Sequence, residues 1–101
     1  MSTVSLSTAL SGMSAANERL RASANNIANV ATPGYHRERI EAETAADGNG
    51  VTTRVEKLPT PGEDLATDLV EQKSATYAYV ANLRVLQTQL RAEGALLDIH
   101  V

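Results

Sequence analysis

Apolar residues fall at heptad spacing in two long stretches, one towards each end of the chain. Over residues 3–31, Leu6, Leu10, Met13, Asn17, Leu20, Ala24, Ile27 and Ala31 stand four and three positions apart in alternation. That period puts them on one stripe of an α-helix, the a/d seam of a coiled coil. Asn17 is the one polar member. Pro33 disfavours helix at Thr32 and Gly34 permits a sharp change of direction, so the predicted helix covers residues 3–31.

The second stretch repeats the pattern at greater length. Leu65, Leu69, Gln72, Thr76, Tyr79, Leu83, Leu86, Leu90, Glu93 and Leu97 keep the same alternation. Val70, Tyr77, Val80 and Leu96 widen the stripe, as suits a helix with more than one neighbour. Pro61 and Gly62 mark its start, with Glu63 and Asp64 in the first turn where the helix dipole favours anions. The predicted helix covers residues 63–98, with Gly94 as a fraying point. At ~1.5 Å per residue the two helices run roughly 40 and 50 Å.

Between them, residues 32–62 carry weaker signals. His36–Ala42 reads as an extended strand, Asp47-Gly48-Asn49-Gly50 as a turn, and Val51–Leu58 as a second strand of modest β-propensity. Leu58-Pro59-Thr60-Pro61-Gly62 is a stiff linker. The expected fold is mainly α: two long amphipathic helices forming a coiled-coil-like hairpin, with a small β-hairpin or irregular middle segment, in a single domain over residues 1–101.

Composition adds that such a domain has little to bury. The 101 residues include no Cys, Phe or Trp, and three tyrosines supply all the aromatic area. Alanine favours helix but contributes little burial per residue, so contacts with other chains are expected to supply much of the stability. The net charge of −3 is divided unevenly. Residues 1–40 hold four basic and two acidic side chains (4 − 2 = +2), and residues 41–101 hold five and ten (5 − 10 = −5). Those two parts are either ordinary solvated faces or head-to-tail complementary. An acidic chain without a basic, aromatic-interleaved stripe does not point to nucleic acid.

Sites for chemistry find little support. His36 and His100 stand far apart with no second histidine or cysteine at ligand spacing, so no metal is expected. No serine sits in a Gly-x-Ser-x-Gly elbow, and Gly48-Asn49-Gly50 lacks the Gly-Lys-Ser/Thr of a phosphate loop. Neither an enzyme nor a cofactor is expected. Tyr77 and Tyr79 read as packing residues. No apolar run reaches the ~18–20 residues of a membrane span. Serines interrupt the first thirteen residues, which lack the basic and apolar regions of a secretory leader.

At Ala24-Asn25-Asn26-Ile27-Ala28-Asn29-Val30-Ala31-Thr32-Pro33-Gly34-Tyr35 the chain closely resembles the N-terminal signature of the bacterial flagellar axial proteins. These are the rod, hook and hook-associated subunits. Ala9-Leu10-Ser11-Gly12-Met13 is similar to that family's opening. Ala78-Tyr79-Val80-Ala81-Asn82, with Val85 and Leu86, resembles its C-terminal helix. The short proximal-rod subunits are the nearest in kind, although even those carry a longer middle segment.

The resemblance implies a non-enzymatic structural subunit of the flagellar basal-body rod, self-assembling through its terminal helices and transmitting torque. Its partners would be copies of itself, other rod and basal-body proteins, and the flagellar type III export apparatus. It would reach the periplasm-spanning rod without a cleaved signal peptide or membrane insertion. The short middle segment suggests an alternative: a stand-alone helical module that caps, escorts or regulates axial subunits.

The residues expected to carry assembly are Leu6, Leu10, Met13, Leu20 and Ile27 on the first helix. Leu69, Tyr79, Leu83, Leu86, Leu90 and Leu97 on the second would pack against them, within and between chains. Asn25, Asn26 and Asn29 either terminate the first helix through side-chain bonds to backbone or fix register against neighbouring subunits. Asn17 in mid-seam and Asn82 in the C-terminal motif are further register candidates. Pro33, Gly34 and Tyr35 set the exit angle.

Overall fold

The computed structural model describes residues 3–100, with side chains described for residues 6–94. Four elements follow in order: α1 (Thr3–Ala28), β1 (Glu38–Thr44), β2 (Val51–Lys57) and α2 (Leu65–His100). The fold is therefore mainly α, two long helices joined through one small antiparallel hairpin, within an elongated envelope of 62 × 25 × 14 Å.

Each helix end has a local cause. At the end of α1, Asn29 donates its backbone N–H to Asn25 O at 3.1 Å and its side-chain Nδ2 to the same carbonyl at 2.9 Å. The helix ends at Ala28, three residues before the predicted limit, and turns carry the chain on to Gly34, whose φ of 75° suits glycine. At the start of α2, the Asp64 carboxylate accepts the Thr67 N–H at 3.1 Å, an N-cap one residue before the first helical position. Gly94 does not fray the helix, which continues through it to His100.

The strands begin and end close to where their sequence suggests. β1 runs from Glu38 to Thr44 rather than from His36 to Ala42, and β2 covers Val51–Lys57. Their register pairs Ile40 with Val55 and Glu41 with Arg54. At the turn, Gly48 donates to Ala45 O at 2.8 Å and Asn49 N–H to Asp47 Oδ1 at 2.9 Å.

The helices pack antiparallel through small and polar residues. Gly12 meets Asn82, and fourteen residues further along both helices (26 − 12 and 82 − 68) Asn26 meets Asp68. Between these contacts Arg19 pairs with Glu71 and donates to Ser74 Oγ at 2.9 Å. Among the described residues, the buried apolar side chains are all alanines: Ala9, Ala15, Ala16, Ala22 and Ala75.

The seam that closes is thus Ala9, Gly12, Ala16, Arg19, Ser23 and Asn26 on α1. Each stands one residue before a member of the predicted leucine seam, or about 100° round the helix at 3.6 residues per turn. On α2, Asp68, Ala75 and Asn82 stand one residue before Leu69, Thr76 and Leu83. Within one chain, then, the fully buried contact runs along the small-residue seam, and most of the leucine seam lies half-buried beside it. Small side chains let the two backbones approach closely, whereas paired leucines would hold the axes further apart.

Candidate functional site: two helix faces and a polar lock

Three groups of side chains are available for function: the partly exposed leucine stripe, the polar lock at the base of the hairpin, and the clip at its tip. The stripe follows from the seam just described. Leu10 is 53% exposed, Leu69 50% and Leu90 55%, while Leu6, Met13, Leu20, Ile27, Tyr79, Leu83 and Leu86 are half-buried. Val70 and Tyr77 are more open still. Tyr77 therefore packs against nothing that would bury it in the isolated chain. Asn17 is exposed on the same stripe. Leu97 lies outside the residues whose side chains are described.

The polar lock centres on Asn26, which is 4% exposed. Its Oδ1 accepts the Glu38 backbone N–H at 2.8 Å, and its Nδ2 donates to the Glu38 carbonyl at 2.9 Å. One side-chain amide thus does for β1 what a neighbouring strand would do. Nδ2 also donates to Asp68 Oδ1 at 3.0 Å, and Tyr35 donates its hydroxyl to Asn26 Oδ1 at 3.4 Å. Burial raises the Tyr35 phenol above its ordinary range, and the nearby Glu38 and Asp68 charges add to the shift.

Asp68 is held from its other side by Arg37. The guanidinium donates through Nε to Oδ2 at 3.1 Å and through Nη2 to Oδ1 at 2.6 Å, a bidentate pair. That hydrogen bonding raises the Arg37 pKa further, against the opposing cost of burial. Asn25 Nδ2 and Arg21 Nη2 reach the Glu38 carboxylate at 3.2 and 3.3 Å. Buried Asn26 and Asp68 therefore have charged or hydrogen-bonded partners.

At the tip, Ser11 Oγ accepts the Val51 N–H at 3.1 Å while donating to Thr8 O at 2.9 Å. Gly50 passes so close that a Cβ there would stand 2.7 Å from Ser11 Oγ. The hairpin is clipped to α1 at both ends.

Of the asparagines in the N-terminal motif, Asn29 bonds back to the Asn25 carbonyl just beyond the helix end. Asn25 and Asn26 serve β1 of the same chain, a role that spacing along α1 gives no sign of. Asp68 and Arg37 were not singled out by sequence. The available signal was an acid in the predicted second helix and an arginine just after Tyr35, with nothing to join them. Pro33 and Gly34 are exposed at the turn where the chain reverses towards β1.

Beneath β1 a cleft of about 350 Å³ is lined by Arg19, Arg37, Arg39, Glu41, Asp68 and Glu71. Its arginines already face carboxylates: Arg19 with Glu71, Arg37 with Asp68, and Arg39 with Glu41 and Glu56. Among the described residues, no group of His, Asp or Glu could hold a metal ion, and no helix is long and apolar enough to cross a membrane.

The lock and the turn that follows it fall inside the segment that comparison with protein families picks out. Residues 6–36 match the family described as flagella basal body rod protein. Comparison with curated proteins gives no match. The matched segment contains Ser11, Gly12, Asn25, Asn26, Asn29 and Tyr35, residues that close the α1–α2 contact, clip the hairpin or shape its approach. Over residues 6–36, about a third of its length, this chain is similar to the flagellar basal-body rod proteins.

Proposed function

We propose that the chain is a non-enzymatic structural subunit of the flagellar rod, assembling with copies of itself and other rod proteins through its terminal helices. The observation that carries this reading is the leucine stripe. The hairpin spends its small residues on internal packing and leaves Leu10, Leu69, Tyr77 and Leu90 facing outward. Large apolar side chains aligned along a helix pair favour contact with further helices. Many such contacts, sharing load around and along a rod, would resist torsion and so transmit torque.

Delivery by the type III export apparatus and residence in the periplasm-spanning rod belong to the same reading. The test is Leu90→Asp, at a position already half open to water, so the chain still folds. Cells carrying it are expected to lose motility and to lack the chain in isolated hook–basal bodies, while its cellular level holds. Unchanged motility with normal incorporation would refute the proposal. A wild-type chain abundant in cells but absent from those structures would favour the escort reading.

A further inference from the structure

The hairpin exposes two strand edges of matching chemistry. Leu58 donates its N–H to Arg37 O at 2.8 Å and Ala45 donates to Gly50 O at 3.1 Å. Both bonds lie in the register that pairs Glu38 with Lys57 through to Thr44 with Val51. Bonded and non-bonded pairs alternate along an antiparallel ladder. The N–H and C=O groups of Glu38, Ile40, Ala42 and Thr44 therefore point away from β2, and those of Val51, Thr53, Val55 and Lys57 away from β1.

Three of these outward groups confirm the phase, because α1 occupies them. Asn26 takes the N–H and C=O of Glu38, and Ser11 takes the N–H of Val51. The helix thus crosses beside β1 at the hairpin base and beside β2 at its tip. Among the described residues, no bond reaches the outward backbone groups of Ile40, Ala42, Thr53 or Val55. An uncovered strand edge is a template for another strand.

We propose that the free edge of β1 pairs with the free edge of β2 in a second copy of this chain. Side-chain complementarity selects that occupant. In the hairpin's own register Glu38 opposes Lys57, Arg39 opposes Glu56, Glu41 opposes Arg54 and Ile40 opposes Val55. All three charged pairs are of opposite sign. Because backbone groups alternate sides, the same register is available between the outer edges of two hairpins. Ile40 and Ala42 would exchange backbone bonds with Val55 and Thr53 of the second copy, and Glu41 would face Arg54. β1 against β1 would instead oppose strands each carrying three glutamates and one arginine.

The contact joins unlike surfaces, so it propagates head to tail rather than closing into a two-fold dimer. It uses none of the leucine stripe, and so adds a second set of subunit contacts to those proposed for the helices.

The chain has no cysteine, which makes crosslinking clean. Full-length Ala42→Cys and Thr53→Cys chains would be purified separately, mixed at high concentration and oxidised. Paired Cα atoms stand about 5.5 Å apart in a bonded pair, within disulfide reach. The mixed dimer is expected to exceed either homodimer several-fold. Adding Val55→Pro to the Thr53→Cys chain should abolish that excess, since the lost N–H points away from β1 and the hairpin keeps its own ladder. Mixed dimers no more frequent than homodimers, or unaffected by Val55→Pro, would overturn the proposal. Repeating the experiment with Leu90→Asp in both chains separates the two contacts. Crosslinking that persists there supports edge pairing whatever the helices do. Helix-driven association without the mixed dimer would leave the helix reading standing and this one refuted.

Discussion

Gly12 lies directly against the side chain of Asn82: a Cβ at position 12 would stand 2.5 Å from Asn82 Oδ1 and 2.7 Å from its Cγ. Asn82 is itself anchored, donating Nδ2 to Ala78 O at 2.8 Å. The two residues set how closely α1 and α2 approach. Together with the Asn26–Asp68 contact two heptads away, they also fix which residues face each other.

Gly12→Ala tests this contact. Alanine is the better helix former by about 1 kcal/mol, but inserting a methyl into a filled contact costs typically about 1–3 kcal/mol. Net destabilisation is expected in urea unfolding. Adding Asn82→Ala, which vacates the space, should make the double variant more stable than Gly12→Ala alone. Additive effects of the two substitutions would show that they do not touch.

Asp68→Ala removes the carboxylate shared by Asn26 and Arg37 and leaves the largely buried guanidinium unpaired. Breaking a buried pair from one side costs about 3–5 kcal/mol, a large share of what a small domain has. Asp68→Asn should cost less, because it keeps an acceptor for Arg37. Equal stability of both variants with the parent chain in thermal unfolding would show that the lock is not structural.

Asn26→Asp keeps the shape of the side chain but replaces its donor with a charge beside Asp68 and the Glu38 carbonyl. The backbone N–H of Glu38 retains its acceptor, while two donated bonds are lost and two carboxylates face each other. β1 should detach from α1 at its base. Faster amide exchange at Glu38 in Asn26→Asp, with α1 amides unchanged, is the expected signature.

Thr67 holds the Asp64 carboxyl below the usual carboxylate range, through its hydroxyl and then its backbone N–H. A folded value below the unfolded one makes the cap's contribution complete above the unfolded value. It is lost as pH falls through the folded value. The first turn of α2 should therefore loosen in acid. Asp64→Asn, which caps comparably without titrating, should remove that pH dependence. Amide exchange at Thr67 and Asp68 across the acid range, in both chains, decides it.

Much of this architecture was legible in the chain. Heptad spacing gave both helices, Pro33 and Gly34 marked the exit from α1, Pro61 and Gly62 marked the approach to α2, and Asp47-Gly48-Asn49-Gly50 gave the hairpin turn. These are local effects, in which the conformational preference of a residue and its near neighbours decides the outcome, although α2 begins at Leu65 with Asp64 as its cap rather than in its first turn. The phase of the packing was not local. Adjacent seams on a helix share one period, so Leu10, Leu20 and Ile27 repeat with the same spacing as Ala9, Arg19 and Asn26. Hydrophobic burial favours the leucines, and only the approach of a second backbone reveals that Ala9, Gly12, Ala16 and Ser23 are the residues small enough to meet it. The role of Asn26 was hidden for the same reason. A side-chain amide can end a helix, join a neighbouring chain or bind a strand, and which it does depends on where tertiary structure brings Glu38 and Asp68.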